Sequence, residues 1–108
     1  MDRAFVRGNL NLLILSLLHS GPHYGLQVAK EINALIDGDG LLSYGSLYPA
    51  LHRLESQGLI QGTDGPSPEG ARPIRQYALT EAGRAHLADL KAAQRSFQRT
   101  LAALWGES

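Results

Sequence analysis

The densest run of hydrogen-bonding side chains lies between Ser43 and Ile60, in the stretch Ser-Tyr-Gly-Ser-Leu-Tyr-Pro-Ala-Leu-His-Arg-Leu-Glu-Ser-Gln-Gly-Leu-Ile. Leu47, Leu51 and Leu54 recur at helical spacing and form an apolar face, which leaves Tyr44, Ser46, Tyr48, His52, Arg53 and Gln57 elsewhere on the helix. The chemistry on offer is recognition: hydroxyls, phenols and a guanidinium near a helix N-terminus, whose free amides attract anions. Ser43 or Ser46 can cap the start, and Gly58 supplies the left-handed residue that ends the helix. With Ser43 as the cap, Pro49 lies past the first turn and should bend the helix; with Ser46 it takes the third position and is tolerated. The pattern leaves the start open by one turn.

Catalytic constellations are weak by comparison. His19, His23, His52 and His86 are scattered, and a Gly-Pro turn separates the first two, with no carboxylate at ligand spacing. There are no cysteines, which removes disulfides, thiolate metal sites and cysteine nucleophiles together. No nucleophile elbow is present, and Gly62, Gly65 and Gly70 fit no nucleotide-binding spacing. Asp37-Gly38-Asp39-Gly40 lacks the further carboxylates of a calcium loop and reads as a turn. The expectation is a protein that is not an enzyme and holds no metal or cofactor.

The surrounding elements must hold the Ser43 to Ile60 helix in place. A chain of 108 residues, 44% of them hydrophobic, makes one modest core, so help from a second copy is plausible. Ten basic residues balance ten acidic ones. Binding to nucleic acid would therefore rest on local charge rather than on a basic whole. Even locally, Arg53, Arg72 and Arg75 are matched by Glu55, Asp64 and Glu69.

Near the N-terminus, Leu10, Leu13, Ile14, Leu17 and Leu18 make a regular helical face, and His19-Ser20-Gly21-Pro22 stops it. The run is far short of the roughly 20 apolar residues of a membrane span. No small-x-small cleavage site follows, so a cytoplasmic protein is expected. Leu12 and Leu15 make this helix apolar almost all round, which calls for a second covering surface. A second helix from Tyr24 or Gly25 to Ile36 carries the stripe Val28, Ala29, Ile32, Leu35 and Ile36, with Lys30, Glu31 and Asn33 left for solvent.

After Gly58 the period changes. Leu59 to Thr63 reads as a short strand, Asp64 to Gly70 as turn formers, and Pro73 to Leu79 as a second strand, making a β-hairpin. Thr80 then caps a long helix reaching about Trp105, with Gly106 as its stop. Leu87, Leu90, Gln94, Phe97, Leu101 and Leu104 follow a heptad rhythm with one polar break, and such a seam needs a partner. Arg84, Lys91, Arg95 and Arg99 make its solvated side basic.

Helix, helix-turn-helix and hairpin, in that order, describe a mainly α fold with a small β-hairpin: a winged helix-turn-helix over 1–79 followed by a C-terminal dimerisation helix over 80–108. Ser43-Tyr44-Gly45-Ser46-Leu47-Tyr48-Pro49-Ala50-Leu51-His52-Arg53-Leu54-Glu55, with Gly58-Leu59-Ile60, closely resembles the signature of the PadR family of bacterial transcriptional regulators. Leu13-Ile14-Leu15, Gly21-Pro22-His23-Tyr24-Gly25-Leu26 and Arg75-Gln76-Tyr77-Ala78-Leu79-Thr80-Glu81-Ala82-Gly83 extend the resemblance over about residues 8 to 84.

The resemblance implies a homodimeric repressor that binds double-stranded operator DNA and responds to a small hydrophobic or aromatic effector. On that reading Tyr44 and Ser46 reach base edges, while Ser43 and the Tyr48 hydroxyl hold phosphates. Tyr48 has packing as its alternative role, and Arg53 either meets the DNA backbone or pairs with another helix. Arg72 and Arg75 are the candidate phosphate contacts of the wing. The candidate dimer surface comprises Leu12, Leu15, Leu87, Leu90, Phe97, Leu101, Leu104 and Trp105, the last as an interface anchor or a platform for an aromatic ligand. The rival reading is a winged-helix dimer that captures protein or ligand and has little affinity for DNA.

Overall fold

The computed structural model describes residues 2–36, 42–66 and 74–107. In chain order it contains helices α1 (Arg3–Gly8) and α2 (Leu10–Leu18), the two-residue strand β1 (His23–Tyr24), helices α3 (Gly25–Leu35) and α4 (Tyr44–Ser56), strands β2 (Ile60–Gly65) and β3 (Ile74–Leu79), and the long helix α5 (Glu81–Leu104). The Asp37 to Gly40 turn, most of the hairpin tip and Arg72 lie outside the described residues.

The winged-helix expectation holds, with two additions, the short helix α1 ahead of the expected first helix and the strand β1. Strand β1 pairs antiparallel with β3 through His23–Tyr77 and Tyr24–Gln76, so the sheet has three strands in the order β1-β3-β2. Two residues carry no readable alternation, which is why β1 left no trace in the sequence pattern. The hairpin itself pairs Ile60 with Leu79 through to Gly65 with Ile74.

Leu47, Leu51 and Leu54 of α4 are wholly buried against Ile14 and Leu15 of α2, Val28 and Ile32 of α3, Ile60 of β2 and Tyr77 of β3. Burying one such leucine contributes about 1.5–3 kcal/mol. Three expectations need correcting. Leu15 is 0% exposed and Leu87 of α5 is 1% exposed, so both belong to the protomer's own core and offer nothing to a second copy. Leu35, expected on the buried stripe of α3, is 83% exposed, whereas Ile32 and Ile36 of the same stripe are 4% and 9% exposed. Asn33 is not left to solvent. Its side-chain amide donates to the Leu42 carbonyl (2.6 Å) and its oxygen accepts from the Leu42 N–H (3.1 Å), fastening the approach to α4 onto α3.

Helix α5 is rooted in the same core. The Thr80 hydroxyl accepts from the Gly83 N–H, capping the helix, and donates to the Gly58 carbonyl at 2.6 Å, while the Thr80 N–H donates to the Leu59 carbonyl. Gly83 makes this possible: a Cβ there would stand 1.9 Å from the Leu59 oxygen. Residues 91–100 are all exposed, and as far as Phe97 the helix still borders an open hollow shared with Asn9 and Leu12. Its 24 residues span about 36 Å, which accounts for much of the molecule's 56 Å long axis.

Candidate nucleic-acid interface

Helix α4 starts at Tyr44 with Ser43 as its cap, which settles the point the sequence left open: the Ser46 N–H donates to Ser43 Oγ at 3.2 Å. Pro49 therefore lies inside the helix, where it supplies no N–H to the Gly45 carbonyl one turn back. At the other end Gly58, at φ 76°, closes the helix. The Gly58 N–H donates to the Glu55 carbonyl and the Leu59 N–H to the Leu54 carbonyl, as a Schellman motif requires.

With the leucines turned inward, α4 presents Tyr44, Tyr48 and His52 in a row on its outer face. The Tyr44 and Tyr48 rings are 5.8 Å apart and tilted by 58°; Tyr48 and His52 are 6.5 Å apart and nearly parallel. Tyr44 is 37% and Tyr48 47% exposed, so the packing role considered for Tyr48 is at most partial. Ser43 is exposed and Ser46 half-buried beside it, its hydroxyl accepting from Ser43 Oγ. Burial raises the Tyr44 phenol above its ordinary value, with the neighbouring Tyr48 adding to the effect. The hydroxyl thus stays a neutral donor and acceptor well into alkaline conditions.

The arginines are less free than expected. Arg53 donates to Asn11 Oδ1 of α2 at 3.3 Å, a neutral partner that leaves its charge in place on an exposed side chain. Arg75 is held by two carboxylates: Nη2 lies 2.5 Å from Glu55 Oε2 and Nη1 lies 3.2 Å from Asp64 Oδ1. The hydrogen bond that Arg75 donates to Glu55 is the main influence raising the Arg75 pKa. One donor on each of the Arg75 Nη atoms, the group expected to meet a phosphate, is thus engaged within the protein. Between α4 and the wing lies an open cavity of about 470 Å³, lined by Tyr48, His52, Glu55, Ser56, Arg75 and Tyr77.

Sequence reasoning assigned no specific partner to Glu55, which binds both wing strands, or to His23, whose ring contacts the Gly21 carbonyl through Nδ1 (2.7 Å) and Glu31 through Nε2 (2.8 Å). Helical periodicity places Glu55 near the apolar edge of α4, but only the hairpin register shows which cation it meets. Among the described residues no group of three His, Asp or Glu side chains is placed to hold a metal, and no helix is long and apolar enough to cross a membrane. Of the remaining candidate dimer residues, Leu12, Leu90 and Leu101 are half-buried, while Phe97, Leu104 and Trp105 are 60%, 76% and 63% exposed.

This arrangement of sheet, α4 and long α5 has close counterparts. The model of the transcriptional regulator PadR-like family matches residues 14–89. The chain belongs to the PadR family. A PadR-like transcriptional regulator from Bacillus cereus superposes with a TM-score of 0.82 at 27% identity, covering 97% of this chain and 99% of that one. A PadR family regulator from Eggerthella lenta gives a TM-score of 0.80 at 28% identity, over 94% of this chain and 86% of that one. In sequence, the transcriptional regulator YqjI of Escherichia coli is 37% identical over 82 residues, which are 76% of this chain but 37% of YqjI. The molecule is thus a PadR-family transcriptional regulator.

Proposed function

We propose that this PadR-family protein is a homodimeric repressor that reads operator DNA with the Tyr44–Tyr48 face of α4 and is released or engaged by a small hydrophobic or aromatic effector. One observation carries the reading. The outer face of α4 sets an exposed phenol and the serine hydroxyls at a capped helix N-terminus, while the opposite face is fixed in the core by three buried leucines. A rigid helix bearing short polar and aromatic groups at its first turn is suited to base edges in the major groove, and its N-terminal amides are suited to the adjoining phosphate. On this reading Tyr44 and Ser46 specify, Ser43 and Tyr48 position, and Arg53 and Arg72 supply cationic contacts.

Residues 80–108 would serve as the arm of association. Phe97, Leu104 and Trp105 are large apolar side chains exposed on α5, and covering them, with Leu12, Leu90 and Leu101, gives a second copy its reason to bind. Two α4 helices set about one duplex turn apart then add their affinities. On this reading the protein acts in the cytoplasm.

The balanced overall charge and the engaged Arg75 favour the rival reading of a protein- or ligand-capturing dimer, so the test must separate the two. Fluorescence anisotropy against duplexes from the region flanking the protein's own gene, at two salt concentrations, should show sequence-preferring binding with a shallow salt slope. Sedimentation should show a dimer at the same concentration. A monomer, or a dimer that prefers no sequence, would overturn the proposal.

A further inference from the structure

Side chains two apart on a strand share a face, so Arg75 leaves β3 on the side of the buried Tyr77, toward α4. There Glu55 Oε2 takes Arg75 Nη2 at 2.5 Å and also accepts the Gly62 N–H at 3.3 Å. One carboxylate near the end of α4 thus grips both wing strands, β3 through a side chain and β2 through the backbone. Asp64, the cross-strand neighbour of Arg75, takes the second arm of the guanidinium. Position 62 is shaped for this: a Cβ there would stand 2.6 Å from Arg75 Nε.

We propose that Glu55 is a positioning residue for DNA binding: through Arg75 and the Gly62 amide it sets the angle between wing and recognition helix, and neither Glu55 nor Arg75 touches the duplex. The inference rests on the operator-binding reading above. Charge supports it, since one guanidinium between two carboxylates leaves the cluster net negative and uninviting to a phosphate. Geometry supports it as well. The two carboxylates sit on different elements and meet different nitrogens of one planar guanidinium, Nη2 and Nη1, whereas an ammonium presents all its donors from a single nitrogen.

The test uses the full-length protein, Glu55→Gln, Arg75→Lys and the exchanged pair Glu55→Arg with Arg75→Glu. Without DNA, amide hydrogen exchange should rise about tenfold at Gly62 and its wing neighbours in Glu55→Gln, while the amides of α4 keep their protection. Unchanged wing amides would overturn the proposal. With operator DNA, a wing that holds the competent angle one tenth of the time raises the apparent Kd about tenfold. Both single variants should show this at the wild-type salt slope, and the exchanged pair, which loses the acceptor for the Gly62 N–H and sets a second carboxylate beside Asp64, should not recover it.

Tighter binding by Glu55→Gln, with a slope steeper by about one, would mean that Arg75 had been freed to a phosphate, and would overturn the assignment. Wild-type affinity in Arg75→Lys would do the same. A wild type that prefers no duplex removes the operator reading and this inference with it. A wild type that binds while Glu55→Gln matches it removes this inference alone.

Discussion

The Tyr44 ring lies across Gly25 so closely that a Cβ at position 25 would stand 2.9 Å from both Cε1 and the hydroxyl. The first residue of α4 is thus seated on the first residue of α3, and the phenol that faces outward is aimed by a glycine on another helix. Gly25→Ala should push the ring aside. Because the end of a side chain can move, the cost in stability should be small, while operator preference should relax toward that of Tyr44→Ala. Competition between specific and scrambled duplexes reads this directly, and an unchanged specificity ratio would show that the ring's seat does not matter.

Ser43 is the cap of α4 by direct hydrogen bond to the Ser46 N–H. Ser43→Ala should cost about 1 kcal/mol, which in a domain of this size lowers Tm by roughly 4–8 °C. Ser43→Asp should retain most of that stability yet weaken DNA binding, because a carboxylate at the helix start competes with a phosphate for the same amides. Thermal melts and anisotropy on the same samples separate the two effects.

Gly83 admits the Leu59 carbonyl where a Cβ would lie 1.9 Å from its oxygen. Both parties to this contact are tied to the backbone, so neither can yield by a rotamer change. Gly83→Ala should destabilise the fold by about 2–3 kcal/mol, measured as a lower urea midpoint. An unshifted midpoint would mean that α5 can lift off its seat without penalty.

The pH dependence follows from two phenols. Burial chiefly raises Tyr77 above the ordinary tyrosine value, helped by Tyr44 and opposed by Arg75, and burial raises Tyr44 as well. A folded-state pKa above the unfolded one means that the folded protein holds its proton longer. The stability these two groups contribute is therefore intact below about pH 10 and is lost as the pH climbs through their raised values. Tyrosinate absorbance should show a late-titrating component that shrinks in Tyr44→Phe and in Tyr77→Phe.

What the sequence made legible were features written in neighbouring residues. The leucine spacing of α4, the stop at Gly58 and the Thr80 cap depend on contacts within a turn or two, and each is found where the pattern places it. The placement of side chains by tertiary contact was not legible. Arg75 reads as an outward wing cation until the register sets it beside Asp64 and under the reach of Glu55. Asn33 reads as a solvated helix residue until Leu42 comes back past it. Leu15 and Leu87 look alike as interface leucines because apolarity alone does not distinguish a protomer's interior from the surface it shares with another copy.

The joint at Thr80 has a mechanical consequence. Its hydroxyl and amide are bound to the carbonyls of Gly58 and Leu59, the two residues that close α4, and Gly83 is pressed against the second of these. The long arm therefore has no swivel at its base. On the operator-binding reading, a shift of the arm at its base is passed to the end of α4 through these contacts, with no free backbone turn between them to absorb it.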